Sequence, residues 1–215
     1  MTAHTMTDFI SAHEALFSTY TGWCDDFGVD DLSTQSLCPD WDVRGVIAHA
    51  LGVETVLDGW TPSTENPPPF GKMGDFAAEL SDLAPDALAA RIAKVTASRL
   101  DHLRSLGPEA ADEPSITPTG VRTYGDFLRI RVFDLWVHAH DIAIPLARPL
   151  NLGRVAAELA LEEVAGAIGY IVGKKVGLAD GRSAVVHETG DLERDQAVVV
   201  DGKARPVESV ADPDG

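Results

Sequence analysis

The chain has 215 residues, enough for one large domain or two small ones, and its 45% apolar and 24% charged content is that of an ordinary soluble globular protein. Seventeen Lys and Arg stand against 34 Asp and Glu, a formal charge of −17, which makes nucleic acid and anionic membrane poor partners and reads most simply as solubility. Two cysteines, Cys24 and Cys38, are too few for a disulfide framework and fit a reducing cytoplasm; the N-terminus has no basic region leading into an apolar core, so no signal peptide is expected, and no apolar run is long enough to span a bilayer.

The first helix is predicted from Thr7 to about Phe27. Thr7 serves as cap, Asp8 favours the helix start, and Phe9, Leu16, Tyr20, Trp23 and Phe27 recur at helical spacing. His13 shares that side and reads as a histidine at the edge of the core, and Gly28 ends the helix. Residues 29–41 form a connection in which Cys38-Pro39-Asp40-Trp41 turns the chain. Nothing near Cys38 lowers its pKa, so it reads as a small buried hydrophobe, not a nucleophile.

Asp42 caps a second helix, about Val43 to Gly59, whose stripe of Val46, His49, Ala50, Val53, Val56, Leu57 and Trp60 carries a histidine at its centre. Residues 61–74 hold four prolines and two glycines, excluding helix and central strand; they read as a loop that either walls a site near His49 or merely connects. A third helix runs from Pro85 to Leu106, with Leu88, Ile92, Val95, Leu103 and Leu106 on one face, and a further loop follows to Gly120. Thr123 caps a fourth helix, Tyr124 to about Ala143, with Pro145 after its end. Four amphipathic helices imply a mainly α architecture, an antiparallel four-helix bundle over residues 1–145.

The fourth helix carries the chemistry. Phe133, Trp136, Val137 and Ile142 spread apolar surface over most of its circumference, yet Arg131, Asp134, His138 and Asp141 fall at i, i+3, i+7 and i+10 on one polar stripe. Such a stripe on a buried helix is unfavourable unless its groups are paired or bind something. Asp134 and His138 are one turn apart and can present two ligands to one metal ion, with His49 approaching from the second helix. Taken alone His49 reads as a satisfied core histidine; the polar stripe turns that reading towards a ligand. Arg131 can bind a substrate carboxylate through its fork or form a salt bridge to Asp134. Asp141 can orient a ligand imidazole or be a charge near a helix end, and His140 points away from the stripe towards the surface.

Asn151 opens a fifth helix to about Val172. Beyond Gly173, Ser183–Thr189 and Gln196–Val200 are short β-rich runs with turns at Asp180-Gly181 and Asp201-Gly202, so residues 146–215 read as a small α+β domain that ends in turn chemistry, short of a final strand or helix.

Two segments carry a resemblance. Cys38-Pro39-Asp40-Trp41-Asp42-Val43-Arg44 with Val46-Ile47-Ala48-His49 resembles the CPGW-x-VRD-x-VAH segment of the mycothiol-dependent maleylpyruvate isomerase family. Arg131-Val-Phe-Asp134-Leu-Trp-Val-His138 with Asp141-Ile142 is similar to its second signature, which has Glu or Asp four residues before a histidine. The resemblance implies a DinB-like four-helix bundle followed by a small sterol-carrier-like α+β domain, with His49, Asp134 and His138 as metal ligands, Zn²⁺ or another divalent ion as the metal, and mycothiol as thiol cosubstrate. Two imidazoles and a carboxylate leave a fourth position open, as catalytic zinc does. Gly45 departs from the acidic residue that many members carry, Asp134 is shorter than Glu, and the C-terminal domain is short for the family.

A thiol on the open position is deprotonated near neutral pH. It can add to an electrophilic alkene and leave after rotation, or stay attached, so cis–trans isomerisation and S-transfer are both expected reactions. The partners would be a small electrophile and a low-molecular-weight thiol, with a monomer or homodimer in the cytoplasm, and Arg131 and Asp141 as the catalytic candidates. A metal-dependent hydrolase, lacking an identifiable base, and a non-catalytic small-ligand-binding or stress-response module are the alternatives.

Overall fold

The computed structural model describes residues 4–190, 192–211 and 213. The chain divides into two compact units, residues 1–156 and 157–215.

In the first unit the long helices are α1 (Met6–Asp26), α3 (Val43–Leu57), α5 (Pro85–Ser105) and α6 (Tyr124–Ala143), with a short α2 (Val29–Ser33) between the first two. Both α1 and α3 pack against α5 and α6, which closes a four-helix bundle. Its core comes from the residues that repeat at helical period: Phe9, Leu16 and Tyr20 from α1, Val46, Ala50 and Leu57 from α3, Leu88 and Ile92 from α5, and Phe127, Leu128 and Leu135 from α6 are all buried. The cap of α1 is Thr5, not Thr7. Thr5 Oγ1 accepts the Asp8 N–H at 3.4 Å and Asp8 Oδ2 accepts the Thr5 N–H at 2.8 Å, a reciprocal pair that Thr7, lacking an acid three residues on, cannot make. Thr123 and Asp126 make the same pair at the start of α6.

Two stretches expected as loops carry structure. The proline-rich segment is irregular only to Pro69; a 3₁₀ turn (Phe70–Lys72) leads into α4 (Met73–Ser81), which buries Phe76 and Leu80 and packs on α3. Between α5 and α6, a 3₁₀ turn (Pro108–Asp112) precedes an antiparallel hairpin of β1 (Pro114–Thr117) and β2 (Gly120–Thr123). A helix of nine residues and strands of four are too short for their periodicity to stand out against the surrounding prolines.

The second unit takes most of α7 (Arg154–Tyr170), which begins three residues later than expected and runs into a π-helical turn (Ile171–Val176). An antiparallel sheet follows in the order β3 (Ser183–Glu188), β4 (Arg194–Asp201), β5 (Lys203–Val207). The expected Asp201-Gly202 turn joins β4 to β5, a strand the β-pattern missed because Lys203, Arg205 and Pro206 interrupt it; Pro206 is tolerated on an edge strand. Ile168, Val172 and Val198 form this unit's own small core. Among the described residues no helix is long and apolar enough to cross a membrane.

The bundle core is not purely apolar. Glu54 of α3 is fully buried and its two oxygens are held apart by two arginines: Arg99 Nε donates to Oε2 at 3.0 Å and Arg131 Nε to Oε1 at 2.9 Å. Arg99 also donates to the Tyr124 hydroxyl and the Leu57 carbonyl, both at 3.3 Å. Burial opposes the charge on Glu54, but the two guanidiniums hold its carboxyl below the usual carboxylate range. Removing the central acid leaves two desolvated cations, so Glu54→Ala should lose about 3–5 kcal/mol in urea unfolding, more than an exposed Glu→Ala on the same helix.

His13 is also fully buried, not at the core's edge as expected. Its Nδ1 lies 2.7 Å from the Phe9 carbonyl, and its Nε2 has no hydrogen-bond partner among the described residues. Burial holds its pKa below the usual 6.5, with Glu54 pulling upward and Arg99 adding to the fall. The folded state therefore resists protonation while the unfolded chain accepts it, and stability is lost as pH falls below 6.5. The urea midpoint should drop more between about pH 7.5 and about pH 5.5 in the parent protein than in His13→Leu.

Candidate metal centre

Helix α3 presents His49, and α6 presents Asp134 and His138 on consecutive turns. The three offer one ligand atom each within 4.8 Å of one another. His49 Nε2 stands 3.9 Å from Asp134 Oδ1, and His138 Nε2 stands 3.8 Å from the same oxygen. The two imidazoles meet edge to face at 4.9 Å. Tetrahedral zinc with bonds of about 2.0–2.1 Å sets its donors about 3.4 Å apart, so small side-chain rotations bring this set to bonding distance. All three are partly exposed, with side-chain accessibilities of 28% for His49, 27% for Asp134 and 14% for His138, as an open fourth position requires.

The other oxygen of Asp134 is fixed from below. Arg131 Nη1 donates to Oδ2 at 3.0 Å while its Nε holds Glu54 and its Nη2 reaches the Ala50 carbonyl at 3.3 Å. Burial opposes ionisation of Asp134, but hydrogen bonding to His49 and the charges of Arg131 and His138 hold its carboxyl well below the usual range. Arg131 was read from sequence as a substrate clamp or a partner of Asp134. Its guanidinium is buried and divided among three protein acceptors, which leaves no two-pronged face towards a ligand.

His138 uses its two nitrogens in different directions. Nε2 faces Asp134 and Nδ1 lies 2.8 Å from Asp141 Oδ2. A carboxylate on Nδ1 fixes the tautomer that leaves Nε2 as a lone pair. Asp141 is itself held: the Cys38 thiol donates to Oδ2 at 3.2 Å, and the Leu37 N–H donates to the Asp141 backbone carbonyl at 3.2 Å.

This places Cys38 at the centre, half-buried, and corrects the expectation of a core hydrophobe. Cys38, His138 and Asp141 form a second cluster of metal-ligand type. Burial, and then the hydrogen bond and charge of Asp141, push the Cys38 thiol up to about 11, so it stays protonated and acts as a donor to Asp141.

The loop that delivers Cys38 is tied to itself. Gln35 Nε2 donates to the Cys38 and Trp41 carbonyls, both at 2.8 Å, and Ser36 Oγ donates to the Trp41 carbonyl at 2.6 Å. Trp41 then lies over His49, rings 4.7 Å apart and 27° from parallel. His140 turns its Nδ1 to the Trp136 carbonyl and takes no part. Sequence reading missed Glu54, although a lone acid between Ala50 and Leu57 on an apolar stripe was a usable signal. With its thiol protonated, Cys38 should be alkylated by iodoacetamide at pH 8 at least tenfold more slowly than free cysteine, measured by intact mass, the rate rising as pH approaches 11.

The family model described as the mycothiol maleylpyruvate isomerase N-terminal domain matches residues 14–143. Crystal structures of a mycothiol-dependent maleylpyruvate isomerase and of a histidine-to-alanine mutant of it each superpose with a TM-score of 0.62 at 19% identity, covering 86% of this chain and 79% of theirs. No curated protein matches the chain.

Proposed function

Since this chain belongs to the mycothiol maleylpyruvate isomerase N-terminal domain family, we propose that it is an enzyme that turns a low-molecular-weight thiol, mycothiol, on a small electrophile at a divalent metal, Zn²⁺, held by His49, Asp134 and His138. Residues 1–145 would be the metal-binding domain and 146–215 a sterol-carrier-like accessory domain. The observation that carries the reading is the convergence of two imidazole Nε2 atoms on one oxygen of Asp134 while Arg131 holds the other.

A zinc ion in this donor set supplies the Lewis acidity that makes a thiol ionise near neutral pH. The protein's part is positional. Asp134 brings the negative charge, and Arg131 stops it from turning away. Asp141 accepts the Nδ1–H of His138, and Trp41 covers one face of His49. A thiolate placed here forms a C–S bond with an alkene carbon conjugated to a carbonyl, and the displaced π pair moves to the carbonyl oxygen. Rotation about the new single bond and return of that pair expel the sulfur and restore the alkene in the trans form. If the adduct instead takes up a proton, the product is a thioether. Isomerisation and S-transfer thus share their first step. Hydrolysis finds less support, because Asp134 and Asp141 both face His138 and neither is placed as a separate base.

The test is metal content by elemental mass spectrometry. The purified protein should carry about one zinc per chain, or take it up after chelator treatment, and His49→Ala and His138→Ala should each abolish stoichiometric binding. Asp141→Asn should keep the ligands but weaken zinc affinity by about 10–100-fold. Zinc retained at one per chain by both alanine variants would place the metal elsewhere.

A further inference from the structure

Beside the centre, between α3 and α4, lies a cavity of about 500 Å³ walled by Trp41, Gly45, Ala48, His49, Met73 and Ala77 among others. Small-molecule sites occupy about 300–1,000 Å³. His49 belongs to both the cavity and the ligand cluster, so a molecule seated there has one end at the edge of the centre.

The shape of the cavity depends on Gly45. A Cβ at this position would stand 3.0 Å from Trp41 Cβ and 3.3 Å from both Trp41 Cγ and Asp42 Oδ1, so a larger residue crowds the base of the indole that lies against His49. Glycine at this position leaves room for the indole to lie against His49.

The polar side chains of the cavity wall are turned to the protein. Asp42 Oδ1 accepts the Gly45 N–H at 2.8 Å. Arg44 Nη1 donates to the Leu80 and Leu83 carbonyls at 2.6 and 2.9 Å, at the C-terminal end of α4, where the helix dipole is negative. Ser81 Oγ donates to the Ala78 carbonyl at 2.9 Å. Arg131, the guanidinium next to Asp134, is buried against Glu54 and Asp134. Arg44 is the one arginine or lysine among the described residues lining the cavity, and its Nη1 is already held by two carbonyls. The Trp41 indole, the Ala48 and Ala77 methyls and the Met73 thioether make most of the wall beside His49 apolar, and a dianion there would lose hydration for few partners.

We propose that this cavity seats the carbon skeleton of the electrophile, and that the electrophile is a compact, uncharged, apolar or aromatic molecule and not a dicarboxylate. The inference rests on the reading of the His49 centre as the place of reaction. It is tested by NMR titration of the isotope-labelled full chain, zinc-loaded and zinc-stripped, with methyl cinnamate as a neutral planar probe and maleate as a small dianion. Methyl cinnamate should shift the Trp41 indole N–H, the Gly45 amide and the Ala48 and Ala77 methyls, saturating at least tenfold below maleate in both zinc states. Ala77→Trp, which fills the exposed rim, should weaken methyl cinnamate at least fivefold with zinc uptake unchanged, and Gly45→Val, which crowds Trp41, should weaken it by a similar factor. Maleate binding as tightly as methyl cinnamate, or methyl cinnamate shifts confined to other residues, overturns the proposal. Because the probe does not need zinc, probe binding in a chain that takes up no metal supports the cavity while the metal reading alone fails.

Discussion

One buried carboxylate ties the bundle to its centre. Glu54 sits at zero exposure with a guanidinium on each oxygen, and one of those guanidiniums, Arg131, reaches on to Asp134. The four charges alternate in sign, from Arg99 through Glu54 and Arg131 to Asp134, so each has an opposite neighbour. A desolvated ion pair is favourable only when its geometry is complete. Here completion extends from the middle of the core to the rim of a cleft. The orientation of a proposed metal ligand therefore depends on packing between α3, α5 and α6, and a change at Arg99, more than one residue removed from Asp134, acts on the centre through Glu54.

Identical side chains meet different surroundings along this axis. His13 is sealed in the core and kept neutral by burial. His49 and His138 stand at the cleft, where one lies under an indole and the other is bonded to Asp141. Cys24 and Cys38 both have raised pKa values, to about 12 and about 11, but burial dominates the first while Asp141 adds to the second. The raised value at Cys38 has a structural use: a protonated thiol can donate to Asp141 where a thiolate would repel it. Cys38 therefore offers no thiolate of its own at neutral pH.

The bundle was legible because four helices of 15 to 21 residues carry long apolar stripes, and their predicted ends agree with the structure to within about two residues. The Asp134–His138 pair was legible because helical spacing alone sets it. Glu54 with Arg99 was not: the partners lie 45 residues apart, and only tertiary packing joins them. Arg131 shows the limit of a helical wheel, which put it on the stripe of Asp134 and His138 but could not show that Glu54 waits on the facing helix. Cys38 was misread for a similar reason. Its neighbours in sequence do nothing to its thiol, and the groups that do, Asp141 and His138, arrive from α6.

The charge of the whole chain bears on which ligands this cleft admits. At a formal −17 the molecule repels anions at long range, and screening removes that field only beyond about 8 Å at physiological salt. A cleft that accepts a dianion against such a field needs a local excess of cations. Arg131 is spent on Glu54 and Asp134, and Arg44 Nη1 is held by carbonyls at the end of α4. The proposed ligands come from α3 and α6, while the wall of the neighbouring cavity adds Trp41 and residues of α4 to the first turns of α3. Gly45 stands one turn before His49 and beside Trp41, so a change there alters the cavity wall next to a proposed ligand.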